Sequence, residues 1–408
     1  VALEERIVQT TLLMAWRVVA IDIAPLDIAE LLALRDEEQL PMQAAAVDYL
    51  TRRGAMATKD GRPHSALTSL ESRIVETTLL TVSRQLAKPI DALDIEQLRA
   101  FNHSELLPTE TSVTAFLRAR DALKRKGDGA PHQELLDLSD RIVECTRAMG
   151  ARVLAMPFAH MNTVEELVAF RTDVVDPMLS EVTDFLASRG ALVDEQGQKQ
   201  PEVVALRARS IELTLAMVSL LVAKPLSQLS NEELLLLRQS ELEPMEPSAT
   251  GYLTFREALF VDGEPRKEMV QLEDRIVEIT LTMVNQLVGK PIGKLDVDAL
   301  RTFRTSELEK IQREAVEHLK SRNALRAKDG SERPELIALE DRIIECTLLM
   351  VTRVVEVPID KLDVDGLKTH RKTVLEPMVP EAANYLKSRN ALTTKDEAPR
   401  PELGALED

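Results

Sequence analysis

Two stretches, LEDRIVEITLTM at residues 272–283 and LEDRIIECTLLM at residues 339–350, are nearly the same twelve residues written 67 positions apart. The string recurs as LEERIVQTTLLM from Leu3, LESRIVETTLLT from Leu70, LSDRIVECTRAM from Leu138 and LRARSIELTLAM from Leu206. A further start follows at Leu406. Successive starting leucines lie 67, 68, 68, 66, 67 and 67 residues apart. A fixed period of this length marks a tandem-repeat architecture. It divides the chain into helical repeats at 1–69, 70–137, 138–205, 206–271, 272–338 and 339–405, with 406–408 opening a seventh.

One repeat reads as three helices. In the sixth, Leu336, Leu339, Ile343, Cys346, Met350, Val354 and Val357 are spaced by three and four, which predicts a long helix from Pro334 to about Val357. A proline stands at its start in units two to seven (Pro63, Pro131, Pro201, Pro265, Pro334, Pro401), where its missing N–H costs nothing. Another closes it in units two to six (Pro89, Pro157, Pro225, Pro291, Pro358), because the residue before a proline is pushed out of the α region. Asp27, Thr163 and Ser230, each followed three residues on by Glu, read as capping boxes opening a second, short helix. Asp94, Asp296 and Asp363 can cap in the same way. Leu300, Phe303 and Leu308 form the apolar face of that helix in the fifth unit. Pro41, Pro177, Pro244 and Pro377 then read as the first residue of a third helix or as a kink. Lys310 holds that place in the fifth unit, where the two helices are expected to fuse. Gly54, Gly190, Asn323 and Asn390 suit a left-handed exit, and polar turns such as KDG at 59–61 and 328–330 close the unit. The fold class is therefore all-α, a tandem array of six three-helix units of about 67 residues. Either an elongated α-solenoid or a string of small bundles satisfies the pattern.

Composition agrees. Hydrophobic residues make up 44 % and aromatic residues only 3 %, so cores are built from Leu, Val, Ile, Ala and Met, which suit helices. A net charge of −17 argues against nucleic acid, whose phosphates demand clustered Lys and Arg. The longest uncharged apolar run, 213–223, is too short to span a bilayer, so no transmembrane segment is expected. No signal peptide or initiator Met is seen, and the frame of the repeats suggests a fragment of a longer cytoplasmic array.

Three positions are shared by every unit. Arg6, Arg73, Arg141, Arg209, Arg275 and Arg342 hold the fourth place, with an acid three residues on in five units (Glu76, Glu144, Glu212, Glu278, Glu345) and Gln9 in the first. That spacing predicts an ion pair on one helix face, extended across the joint between units. The competing reading is a ladder of guanidinium groups for an acidic partner. Thr11, Thr78, Thr146, Thr214, Thr280 and Thr347 hold the ninth place and are expected to bond back to a carbonyl one turn earlier. Arg53, Arg120, Arg189, Arg256, Arg322 and Arg389 precede the third helix's end, where they complement the dipole and can reach its carbonyls. An alanine two residues beyond each suggests close helix approach.

Catalytic chemistry is not legible. The two cysteines, Cys145 and Cys346, stand at the eighth place three units apart and read as core residues. The six histidines occupy different places in their units and give no metal-ligand spacing. No phosphate-binding glycine loop and no nucleophile with its base stands out, so neither a cofactor nor a metal is expected. Met14, Met149, Met217, Met283 and Met350 recur at the twelfth place and read as core, or as the lining of a hydrophobic-ligand pocket.

The junction LRAKDGSERPELIALED (325–341) resembles that of the roughly 68-residue repeats of kinetoplastid flagellar and cytoskeletal repeat proteins, including the repeat arms of calpain-like proteins. The likeness is a Lys-Asp turn, an Arg, and an E-[LI]-x-A-L-E-[DE] helix start at the same period. It covers about a quarter of each unit, and the long helix here is far more apolar. The resemblance implies a cytoskeletal or flagellum-associated array whose partners are other proteins, such as filaments or neighbouring copies. The expected function is a non-enzymatic structural scaffold that spans distance and binds multivalently. The alternatives are a hydrophobic-ligand (lipid) carrier and a peptide-binding solenoid adaptor.

Overall fold

The computed structural model describes residues 2–394 except Glu195, together with Ala398, Arg400, Pro401, Glu402 and Gly404. The expected seventh start at Leu406 lies outside the described residues. Among the described residues the structure is 72 % helical with almost no sheet, in twelve continuous helices. It folds as two compact units, Val1–Met161 with Glu165–Leu213, and Asn162–Val164 with Thr214–Asp408.

The α-helical segments follow a strict order of long, short and medium. They begin α1 (Ala2–Val19), α2 (Ile28–Ala33), α3 (Leu40–Arg52), α4 (Ser65–Leu86), α5 (Ile95–Ala100), α6 (Leu107–Ala119), α7 (Gln133–Ala155), α8 (Val164–Ala169) and α9 (Asp176–Ser188). They continue α10 (Pro201–Val222), α11 (Asn231–Leu236), α12 (Glu243–Phe255), α13 (Lys267–Val288), α14 (Val297–Thr302), α15 (Glu309–Ser321), α16 (Pro334–Val355), α17 (Val364–His370) and α18 (Glu376–Ser388). The long helices lie where the proline punctuation places them. In α16, Leu339, Ile343, Cys346, Met350 and Val354 are buried, as the spacing of three and four requires.

The three-helix unit is corrected to a pair of helices. Short and medium segments run on into one another in all six places, through a stretch where the helical ring widens. The reason is the spacing of buried side chains. Leu34 and Gln39, Phe101 and Leu106, Phe170 and Val175, Leu237 and Leu242, and Phe303 and Leu308 are each five apart. A five-residue step keeps one face only in a π turn, and the amides of Leu107 and Glu309 reach back five residues to Asn102 and Arg304. Pro41, Pro177, Pro244 and Pro377 sit second in the α segment that follows, so the helix passes over them where its hydrogen-bond register changes. Proline does not cause the widening, since Phe303–Leu308 widens with Lys310 in its place.

Side-chain caps start the short segments. Asp27, Asp94 and Ser230 form reciprocal capping boxes, while Asp296 and Asp363 accept a single amide. The medium segments exit through left-handed residues, Gly54, Gly190, Asn323 and Asn390 as expected, and also Asp121 and Glu257. The backbone of the alanine after each of them closes the exit: Ala122 N–H donates to Leu117 at 2.8 Å and Ala324 N–H to Leu319 at 2.7 Å. The polar turns are tips of small hairpins. β1 (Phe260–Val261) pairs antiparallel with β2 (Glu264–Pro265), and single bridges join Ala57 to Pro63, Lys124 to Pro131, Val193 to Lys199 and Arg326 to Glu332.

Candidate functional site

The fourth-place arginines are committed to structure. Five of the six pair with the acid three residues on: Arg73–Glu76 at 2.9 Å, Arg141–Glu144 at 2.8 Å, Arg209–Glu212 at 3.7 Å, Arg275–Glu278 at 2.7 Å and Arg342–Glu345 at 2.6 Å. Each also donates to a carbonyl at the end of an earlier long helix: Arg73 to Val19 at 2.9 Å, Arg141 to Leu86 at 2.7 Å, Arg209 to Leu154 at 3.0 Å, and Arg275 and Arg342 to Lys224 and Lys290. The last carbonyls of a helix have no partner within it and carry the negative dipole end, so a guanidinium there closes one helix against the next. A free ladder of guanidinium groups is thereby lost. Arg6 stands outside this pattern, exposed on α1.

The ninth-place threonines bond back as expected, Thr11 to Ile7 at 3.0 Å, Thr78 to Ile74 at 2.9 Å, Thr146 to Ile142 at 3.1 Å, Thr280 to Ile276 at 3.3 Å and Thr347 to Ile343 at 3.2 Å. Three of them also accept a bond from the second residue of a π turn, which sequence reasoning missed. Asn102 reaches Thr146 at 3.1 Å, Arg238 reaches Thr280 at 2.9 Å, and Arg304 reaches Thr347 at 3.0 Å. In the first repeat Gln39 reaches the eighth-place Thr77 at 3.0 Å. Thr214 is buried. Of the two arginine donors, Arg304 is the more enclosed. Its guanidinium stacks 4.1 Å from the Tyr385 ring and meets Glu381 at 3.4 Å. An arginine just after the short segment was the available signal: Arg35, Arg171, Arg238 and Arg304 two residues on and Arg371 one residue on, with Asn102 the exception.

The second arginine set does not cap its own helix. Five of the six guanidiniums find a carboxylate on a neighbouring helix. Arg53 pairs with Glu4 at 2.9 Å and Arg120 with Glu71 at 2.7 Å, both on the long helix of the same repeat. Arg189 pairs with Glu110 at 2.6 Å and Arg322 with Glu246 at 2.9 Å, both on an earlier medium segment. Arg389 takes Glu340 at 2.6 Å and Gln312 at 3.1 Å. Arg256 donates to the Tyr252 hydroxyl at 3.2 Å. A neighbouring carboxylate outcompetes neutral carbonyls already used by the helix exit.

Cys145 and Cys346 are free and buried, and burial pushes both thiols up to about 11. Met149, Met217, Met283 and Met350 are buried core, whereas Met14 is exposed. Two histidines share a role after all: His64 and His132 stand just before α4 and α7 and hydrogen-bond the carbonyls of Ala55 at 2.9 Å and Ala122 at 3.0 Å. Gln200, Arg266 and Arg333 make the same bridge in other repeats, so the place asks for reach and not for imidazole chemistry. Among the described residues no group of three His, Cys, Asp or Glu is placed to hold a metal ion. No helix there is long and apolar enough to cross a membrane.

A concavity of about 730 Å³ lies in the first compact unit. Ile23, Leu79 and Leu80 supply an apolar floor, and the hairpin residues Lys124, Arg125 and Lys126 supply an exposed basic rim. Arg84, also on its wall, is tied to the Ala24 carbonyl. Asp22, Glu71, Glu76 and Glu134 also line it, so the groove sets mixed charge around an apolar floor. No family model, curated protein or solved structure matches this chain.

Proposed function

We propose that this chain is a non-enzymatic scaffolding array of six helical repeats, of the solenoid kind, that binds other proteins multivalently. The observation that carries the reading is the recurrence of one polar joint: the same arginine-to-carbonyl bond, the same ion pair and the same bond to threonine return from repeat to repeat. The repeated polar side chains are spent on holding helices together, and what varies from repeat to repeat is surface. Repetition of a surface is useful where weak contacts add up along an extended partner. A cytoskeletal or filament-associated setting fits this use, and the junction at 325–341 supports it by resemblance.

Small-angle X-ray scattering on the 408-residue chain gives the first test. A compact globule of this length has a radius of gyration of roughly 22 Å, and the array reading expects a clearly larger value. Co-sedimentation with cytoskeletal filaments gives the second: binding that stays in the supernatant at every filament concentration overturns the filament setting. The groove of the first compact unit favours a second reading, a peptide-binding adaptor. Acidic peptides that bind in competition with one another, and lose affinity when Lys124 and Lys126 are changed to Glu, would select it over the scaffold. A hydrophobic ligand has its own signature, co-purified lipid in the native mass spectrum.

A further inference from the structure

In two of the joints between repeats, a pair of guanidiniums shares one aromatic ring. Arg304, the second residue of its π turn, lies 4.1 Å from the Tyr385 ring on the next medium segment, and Arg389 at that segment's end lies 5.2 Å from the same ring. Arg35 and Arg120 approach Phe116 in the same way, at 5.1 and 4.8 Å. The joint between the second and third repeats departs from this pattern. Arg189 stands 5.6 Å from the Phe185 ring, but the π turn offers Asn102 in place of the other arginine. Among the described residues no second cation meets Phe185.

An amide is shorter than the side chain it stands in for, and a cavity of about 170 Å³ lies beside it. Asn102, Thr146, Glu181 and Phe185 line this cavity. The last three hold the places of Thr347, Glu381 and Tyr385, the groups that Arg304 touches at 3.0, 3.4 and 4.1 Å. The cavity therefore keeps the surroundings of a guanidinium without the guanidinium. Asn102 is 0 % exposed and donates to Thr146 at 3.1 Å, yet its own buried Oδ1 meets no donor from the chain. A buried acceptor left unpaired is costly. Glu181 is held by Arg99 at 3.0 Å. Asp184 adds a carboxylate to the lining, where the Arg304 joint has Asn384. Asp184 and His103 are exposed and mark the opening.

We propose that this cavity binds a guanidinium group supplied from outside the chain. Such a group is planar, so it can stack on Phe185 while its N–H fork donates to Asn102 Oδ1 and to Asp184. Size permits it, since an engineered cavity of about 150 Å³ admits benzene. Recognition rests on the contrast between one joint and its counterparts, and it does not depend on the scaffolding reading. A free alkylguanidine and a protein's arginine carry the same group, and the experiment separates them.

Isothermal titration calorimetry of the whole chain with agmatine is that experiment. Putrescine, a diamine, controls for positive charge without the planar group. Agmatine should bind once per chain with about millimolar strength, and putrescine several times more weakly. Asn102→Arg places this chain's own guanidinium in the cavity and should abolish binding, with the far-ultraviolet circular dichroism unchanged. Asp184→Asn, at an exposed position, keeps the test open if Asn102→Arg misfolds, and should weaken agmatine binding about two- to fivefold. An acetyl-Gly-Arg-Gly-amide peptide that binds as tightly as agmatine assigns the site to a protein's arginine. Agmatine binding with the peptide excluded assigns it to a free guanidine. Absence of binding by both overturns the proposal. So does putrescine binding as tightly as agmatine, or agmatine affinity that is retained in Asn102→Arg or unchanged in Asp184→Asn.

Discussion

Asn102 in the first compact unit and Arg304 in the second fill the same slot with different chemistry. Both are buried second residues of a π turn, and both donate to the ninth-place threonine of the following long helix, at 3.1 and 3.0 Å. The neutral amide carries no charge for its neighbours to compensate. The guanidinium, with burial opposing its charge, gathers Glu381 at 3.4 Å, Glu309 at 3.7 Å and the Tyr385 ring. The slot thus specifies a donor and leaves charge optional, and a charge placed there brings its own compensation.

The largest way to break the comparison is to remove the compensated charge. Arg304→Ala leaves Thr347 its bond to Ile343 and Glu381 its pair with Arg301 at 3.1 Å, but it opens a cavity and removes the stack on Tyr385, so a loss of about 2–4 kcal/mol is expected. Urea unfolding of the second compact unit would show it. Asn102→Ala leaves Thr146 its bond to Ile142, so a loss of only about 1–2 kcal/mol is expected in the first unit. Equal losses at the two sites would contradict the distinction between amide and cation.

Acid sharpens the difference between the units. His318, in the second, is held down to about 4 by burial and by the guanidiniums of Arg238 and Arg322, against Glu246. Glu243 faces it at 3.7 Å. The unfolded chain takes up its proton near the ordinary 6.5, so the folded state loses stability as pH falls from 6.5 towards 4 and loses no more from this group below that. The expected loss is about 2–3 kcal/mol. His318→Gln should remove that part of the pH dependence, which pH-stepped thermal melts of the two proteins would reveal. A variant with the native slope would exclude His318 as its source.

The smallest effects lie at the helix exits. Gly190 has φ +66° with nothing within 4 Å of an added Cβ, so Gly190→Ala meets only backbone strain and should cost about 1 kcal/mol. Asn323, at φ 53° in the second unit, already tolerates that region, and Asn323→Gly should change the melting point little. Differential scanning calorimetry can separate the two.

What the sequence revealed was what recurs locally. Prolines and a three-and-four spacing delimit the long helices because both act within a turn or two of chain. The merging of the short and medium helices is expected from sequence only in the fifth unit, where Lys310 stands in place of proline; elsewhere it stays hidden because buried residues such as Phe101 and Leu106 are five apart, a step easily mistaken for ordinary helical spacing. The partners of Arg120 and Arg189 lie 49 and 79 residues away, so no local pattern names them. Asp121 and Glu257 carry ordinary side chains into left-handed backbone, which only the fold can require. The slot of Asn102 and Arg304 was written in the sequence, but only as a polar residue beside an apolar one, which usually faces water.

The π turn gives each merged helix a reading frame. An extra residue in the coil turns everything after it by about 100°, so the chain before and after the turn answers to different phases of one rod. Ile311, Ala315 and Leu319 are buried only in the shifted phase. Deleting one residue between Phe303 and Leu308 would leave a better α-helix and the same composition, yet would swing those three side chains out of register with their core. A sequence scored for helix content would rate the deletion an improvement, although the wide turn is what keeps the two halves of the rod in frame with the long helices beside them.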